Sequence, residues 1–220
     1  MCGRYTLTSP EEVIEALFGG GLRGSPSKEG RFNIAPTQEV PVVRYNQGLE
    51  VAHCRWGLVP AWASPEKRLP TLINARSETV HEKPSFRSAF QARRCVVLAD
   101  GFYEWQRAGK ERLPWYFQRT GGAGFGLAGI WERWHNEGQA LESVSILTTH
   151  ANPMVGRIHE RMPVMLVDNA LQAWLNPGAD RAELSVCMTP FPEAGMRERR
   201  VGVAVNKAVA EGSALLAPVS

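Results

Sequence analysis

From residue 39 onward the chain is cut into short runs of β-branched and aromatic residues separated by turn formers. They are EVPVVRY (39–45), LEVAHCRWGL (49–58), RRCVVLAD (93–100), PWYFQRT (114–120), FGLAGIWERW (125–134), ESVSILTTH (142–150) and RMPVMLV (161–167). Such runs suit the pleated, half-buried surface of a sheet. Helical patterns intervene only over 85–93, over 168–175 with Asp168 as cap, and over 179–187. A doubly wound parallel sheet needs regular strand–helix alternation, which is missing here. The pattern predicts an α+β fold: a single domain over residues 1–220 with an antiparallel or mixed, barrel-like β core flanked by short helices. No linker, repeat or low-complexity segment interrupts it.

Ahead of this core, Ser9-Pro10-Glu11-Glu12 reads as a helix start. Ser9 is expected at the N-cap, Pro10 at the first helical position and Glu12 as the partner that completes a capping box; Gly19–Gly21 end the helix. Gly19, Gly21 and Gly24 match G-x-G-x-x-G, but they follow a helix instead of a strand and lead into Ser-Pro, so no dinucleotide site is expected. GGAGFG at 121–126 reads as a turn between strands.

Residues 1–20 lack the basic start, the apolar run of about 7 to 15 residues and the small-residue cleavage site of a secretory signal. No apolar stretch approaches the 18 or so residues of a membrane span. The expectation is a soluble, cytoplasmic protein whose mature chain begins at Cys2. The four cysteines, Cys2, Cys54, Cys95 and Cys187, form no C-x-x-C pair, so neither a zinc site nor a disulfide framework is expected. Cys54 and Cys95 sit in strand-type runs and read as buried core thiols.

The net charge of +3 is too small to establish a nucleic-acid partner, but 20 arginines stand against 5 lysines. Arg presents a planar fork of donors that suits phosphate and stacks on bases. A genome rich in G and C produces the same bias.

Three stretches put polar groups where strands favour apolar ones. In LPTLINARSETV, a period-2 reading sets Asn74 and Arg76 on one face, an amide beside a guanidinium; alternatively Asn74 ends the strand and Arg76 is a surface charge. In ADGFYEWQ, Glu104 stands among Phe102, Tyr103 and Trp105. A carboxylate deprived of hydration there is in the condition to take and return protons near neutrality; pointing outward from an edge strand, it is merely solvated. In GRIHERMPVML, His159 and Arg161 precede an apolar run, and His is the side chain best suited to proton transfer at physiological pH, although most loop histidines are structural. Of the others, His53, His81 and His135 lie among surface-type residues, and His150 ends a strand. With Cys2, these residues supply a nucleophile, an amide, a carboxylate and an imidazole, a sufficient set for acyl or imine chemistry.

The combination of MCGRY, RFNIAPTQ (31–38), RWGLVPAW (55–62), INARSET (73–79), ADGFYEW (99–105), IHERMPVML (158–166) and VNKAVAEG (205–212) resembles the SOS response-associated peptidase family, in the family's order and over nearly the whole chain. The resemblance implies a protein that shields abasic sites in single-stranded DNA, using an α+β domain with a barrel-like core and a basic DNA channel. It implies Cys2 as the covalent residue, with Asn74, Glu104 and His159 as catalytic partners. It places Arg4, Asn33, Trp62, Arg76 and Arg161 along the DNA path, with Lys83 or Arg87 as a further basic contact. No cofactor, metal or membrane is implied, and a monomer that joins the nucleoid when bound to DNA is expected.

Removal of Met1 would give Cys2 an α-amine and a thiol on adjacent carbons, with unperturbed pKa values of about 8 and about 8.5. The amine can condense with the aldehyde of an opened abasic sugar, and the thiol can close a five-membered thiazolidine. Intramolecular ring closure reaches effective molarities of about 10⁵ M or more, so a durable adduct needs no cofactor. Glu104 is expected to shuttle protons, His159 to assist ring opening, and Asn74 to hold the amine and sugar in register. The same groups could cleave the Met1–Cys2 bond, the hydrolase or protease activity in the family label; methionine aminopeptidase would also suffice. Two rival readings are an N-terminal-nucleophile hydrolase of small amides and a non-catalytic reader of single-stranded DNA with Cys2 as an ordinary thiol.

Overall fold

A computed structural model describes residues 2–66 and 69–219. In chain order the first elements are β1 (Arg4–Leu7), α1 (Pro10–Phe18), β2 (Arg31–Ile34), β3 (Glu39–Tyr45), β4 (Leu49–Trp56), β5 (Asn74–Arg76), α2 (Arg87–Ala92), β6 (Arg94–Ala99) and β7 (Gly101–Ala108). They are followed by β8 (Glu111–Arg119), β9 (Phe125–Asn136), β10 (Gln139–His150), α3 (Pro153–Gly156), β11 (Arg161–Pro163), β12 (Met165–Leu166), α4 (Asp168–Leu175), α5 (Arg181–Cys187) and β13 (Met196–Arg200).

Two sheets organise these strands. In the larger one β10, β4, β3, β6 and β9 are neighbours in that order, and β9 pairs back onto β10, which closes a five-stranded barrel. All its pairings are antiparallel except β10 with β4. Closure removes the exposed edges that such a sheet would otherwise present. β5 adds parallel to β10, and β11 adds antiparallel to it. The β9–β10 turn is a two-residue loop, Glu137-Gly138, with φ of 44° and 82°. Positive φ at both positions matches the twist of the flanking strands, and Gly tolerates it freely.

The second sheet runs β13-β8-β7-β1-β2. One apolar cluster fills the barrel and the space between the sheets, with Trp56, Trp174, Phe102, Phe117 and Phe125 fully buried. Cys54 and Cys95 belong to it, at 1% and 0% exposure. The opposite face of the smaller sheet carries a separate cluster of Tyr103 and Tyr116, covered by Val201, Val205 and Leu215 of the C-terminal segment.

The first helix spans Pro10–Phe18 with Pro10 in its first turn and ends at Gly19, which adopts the left-handed conformation that suits a C-cap. Its expected capping box does not form: the Ser9 side chain makes no cap hydrogen bond. A capping box forms instead on α5, between Asp180 and Glu183. The expected single strand 161–167 is divided: β11 pairs with β10 and β12 pairs with β9, so the chain crosses from one barrel strand to the next at Val164.

Candidate active site

The site is assembled where β1 begins. β1 and β7 are antiparallel, with Arg4 opposite Tyr103 and Tyr5 opposite Phe102. Carried one residue further, this register sets Gly3 beside Glu104 and brings Cys2 close to that carboxylate. Cys2 is 0% exposed and Glu104 4%. Burial, reinforced by the Glu104 charge, pushes the Cys2 thiol up to about 12, so sulfur is protonated at neutral pH.

The third member comes from the other sheet. Asn74, on β5, donates from Nδ2 to the backbone oxygen of Cys2 at 2.9 Å. Its Oδ1 is buried with no hydrogen-bond partner among the described residues. Buried polar atoms are nearly always satisfied, so this oxygen is an acceptor open to an incoming donor. The pairing of β5 with β10 buries Ala75 and turns Asn74 and Arg76 to its other face, where Arg76 is exposed.

His159 lies between α3 and β11, half-buried. Its ring Nδ1 accepts the Arg161 backbone N–H at 3.0 Å, and the His159 backbone N–H donates to Val155 O at 3.0 Å. With Nδ1 accepting, the neutral ring carries its proton on Nε2, which sets the tautomer.

Of the residues expected along a DNA path, three are accessible. Trp62 is 66% exposed, unusual for so large an aromatic. The turn that presents it is pinned, with the Ala63 N–H donating to Pro60 O and the Trp134 indole donating to Ala63 O at 2.8 Å. Arg76 is exposed as above. Arg4 is half-buried; its guanidinium stands 6.0 Å from the Trp105 ring centroid and donates to Asn33 Oδ1 and to Val205 O.

The other two are buried and engaged within the protein. Asn33 is 0% exposed, and its Nδ2 donates to the backbone oxygens of Val205, Lys207 and Ala210. It latches the C-terminal segment and positions Arg4. Arg161 is 6% exposed, and its guanidinium grips both oxygens of Glu78, at 2.6 and 2.9 Å, and also donates to Thr148 O. That bidentate geometry occupies the fork that a phosphate would need. Of the two further basic candidates, Lys83 is exposed in the turn before α2, and Arg87 lines a separate cleft of about 500 Å³ with His81 and Arg181.

A separate cleft lies on the outer face of the smaller sheet, and of its lining residues only Arg4 was given a role from the sequence. Gly3, Arg4, Trp105, Arg112 and Asn206 line a cleft of about 290 Å³. The Trp105 indole donates to Asn206 Oδ1 at 2.6 Å, which fixes the ring against the C-terminal segment. By strand period Glu104 and Trp105 face opposite sides of the smaller sheet: the carboxylate lies inside with Cys2, and the indole lies outside with Arg4. Met1 lies outside the described residues. Among those described, no group of three or more His, Cys, Asp or Glu could hold a metal ion, and no helix is long and apolar enough to cross a membrane.

The family model described as SOS response associated peptidase (SRAP) matches residues 1–208. The chain is 36% identical over 211 residues to the abasic site processing protein YoqW of Bacillus subtilis, covering 94% of each chain. It is 31% identical over 223 residues to the abasic site processing protein HMCES of Xenopus tropicalis, covering 81% of this chain and 67% of that protein. A crystal structure of a protein from Bacteroides thetaiotaomicron superposes over the whole of both chains with a TM-score of 0.87 at 25% identity.

Proposed function

Because the chain belongs to the SOS response-associated peptidase family, we propose that it captures abasic sites in single-stranded DNA by forming a covalent adduct with Cys2. Several of its relatives are named abasic site processing proteins, and the arrangement around Cys2 suits that chemistry. The reading requires Met1 to be removed, which frees the α-amine.

The steps balance as follows. The amine adds to the aldehyde carbon of the opened sugar to give a carbinolamine, which takes up a proton from solvent and loses water to leave a protonated imine. The Cys2 sulfur then adds to the imine carbon; its proton passes to Glu104, and the nitrogen ends as the ring amine of a thiazolidine. One water is released overall. Asn74 holds the Cys2 backbone through its carbonyl and leaves Oδ1 free to accept from the new amine or from a sugar hydroxyl. The His159 Nε2–H is the acid suited to opening the furanose. Arg76 and Arg4 neutralise phosphates, and Trp62 stacks on a base beside the gap.

The observation that carries this reading is the coincidence at one residue of the Asn74 hydrogen bond and the Glu104 carboxylate. The test is to incubate the purified protein with a uracil-containing single strand treated with uracil glycosylase and to follow intact mass. A heat-stable adduct heavier than the Met1-free protein by the DNA mass minus one water is expected, and Cys2→Ser should lose it. Equal durability in the serine variant would overturn the ring.

A further inference from the structure

We infer that the tip of the β7–β8 hairpin is a second phosphate-binding arm, on which Arg107 and Arg112 hold the DNA backbone beyond the captured sugar. The inference rests on the proposed binding of a DNA strand at Cys2. In the hairpin register Trp105 is opposite Pro114, Arg107 is opposite Arg112, and Ala108 is opposite Glu111. Counting by twos, Tyr103, Trp105 and Arg107 share the outer face of the sheet, and Arg112 stands on the same face across from Arg107. Both arginines are exposed.

Like charges directly opposite on a sheet destabilise it, and nothing acidic relieves this pair. Glu111 sits one position along and faces the reverse side, and among the described residues no carboxylate is in ion-pair distance of either guanidinium. Lys110 in the turn adds a third positive charge, where Gly109 supplies the φ of 61° that the tight reversal needs. An arrangement that repels itself when empty is relieved by a bound anion.

Position selects the anion. Arg112 lines the same cleft as Gly3 and Arg4, so the hairpin charge reaches the backbone that directly follows Cys2. A strand whose lesion lies at Cys2 and whose neighbouring phosphate meets Arg4 passes along the Trp105 face onto this pair. A polymer with a charge at every residue suits such a line of guanidinium groups; a single small anion would occupy only one of them.

The test uses Arg107→Gln/Arg112→Gln in the full chain. Binding of a long, undamaged single strand is followed by fluorescence anisotropy across salt concentrations, and adduct formation is scored on a trinucleotide with the abasic sugar at its centre, too short to reach the hairpin. The double variant should bind the long strand roughly tenfold more weakly and lower the slope of log K against log salt by about 1.4, the share of two single-strand phosphate contacts. Adduct yield on the trinucleotide should stay at the parent level. Arg107→Lys/Arg112→Lys should keep most of the slope. Arg23→Gln, at a surface arginine already paired with Glu50, should change nothing. An unchanged long-strand slope in the double glutamine variant overturns the arm, even with full adduct formation. A reduced slope with no adduct from any form of the protein leaves the arm standing and removes the capture chemistry instead.

Discussion

Asn74 and Cys2 lie 72 residues apart in the chain, yet the amide of one donates to the backbone carbonyl of the other at 2.9 Å, linking the two sheets at the start of β1. The bond leaves the Asn74 oxygen unengaged. Asn74→Asp replaces the donor by a second acceptor against the Cys2 carbonyl and should slow adduct formation at least tenfold. Its cost in stability should be about 1–3 kcal/mol, the scale for a buried group left unpaired. Gel-resolved adduct kinetics and thermal melts separate the two effects; a variant as fast as the parent would remove Asn74 from the mechanism.

Iodoacetamide should alkylate Cys2 very slowly at neutral pH, because burial and the Glu104 charge hold its thiol at about 12. Glu104→Gln removes the second cause and should bring alkylation to lower pH. In an unfolded chain the thiol ionises at ordinary values near 8.5. Folding therefore favours the protonated form, and the associated stability is complete below that range and is lost as pH rises toward 12. Cys54, also pushed up to about 12 mainly by burial, acts in the same direction. Melting temperature should thus fall between about pH 9 and 12; rapid labelling of Cys2 at pH 7 would contradict its buried state.

Arg76 and Arg161 should fail in different ways. Arg76→Ala removes an exposed charge and should weaken single-strand binding and reduce its salt dependence by about 0.7 in log–log slope, with the melting temperature unchanged. Arg161→Ala abandons Glu78 and Thr148 O and should lower stability by about 2–4 kcal/mol, with the adduct defect growing on warming. Salt-dependent anisotropy and calorimetry give the comparison. Equal melting temperatures for the two variants would show that the Glu78–Arg161 grip is unimportant.

Glu78 offers a pH signature for the same pair. Although burial opposes it, the Arg161 guanidinium holds the carboxyl below its usual range. Stability from this source is present above the unfolded carboxylate value and is lost as pH falls through the lower folded one. Glu78→Gln should therefore flatten the acid side of the stability profile below about pH 4.5. A variant with the parent's acid slope would exclude the linkage.

Asn33→Ala should release the C-terminal segment, since three backbone oxygens and the Arg4 guanidinium lose their shared partner. A loss of about 2–4 kcal/mol is expected, with faster proteolysis within 203–212. Cleavage at the parent's rate would show that the segment is held by other contacts.

Strand runs from 39 to 150 are legible because alternating β-branched and aromatic residues have few other ways to bury themselves. The same local pattern places Cys54 and Cys95 in the core and turns Asn74 and Arg76 to one face. Four-residue β1 and β2 escape notice, being too short to show a period, and β13, with the sequence MRERR, hides an edge strand in a charge run. The failure of the Ser9 cap shows the limit of local rules where the backbone entering a helix is set by neighbouring strands.

Fold class, chemistry-bearing residue types and family are all carried by local pattern or by the order of short motifs. Which polar groups remain available depends on long-range contacts. Asn33 and Arg161 look like ligand-binding residues in one dimension, but backbone oxygens and a carboxylate brought from far along the chain occupy their donors. Arg107 and Arg112 look unremarkable until the hairpin sets them face to face beside the cleft. The reason is physical: a side chain's composition is local, whereas its burial and its hydrogen-bond partners are created by contacts between residues distant in sequence.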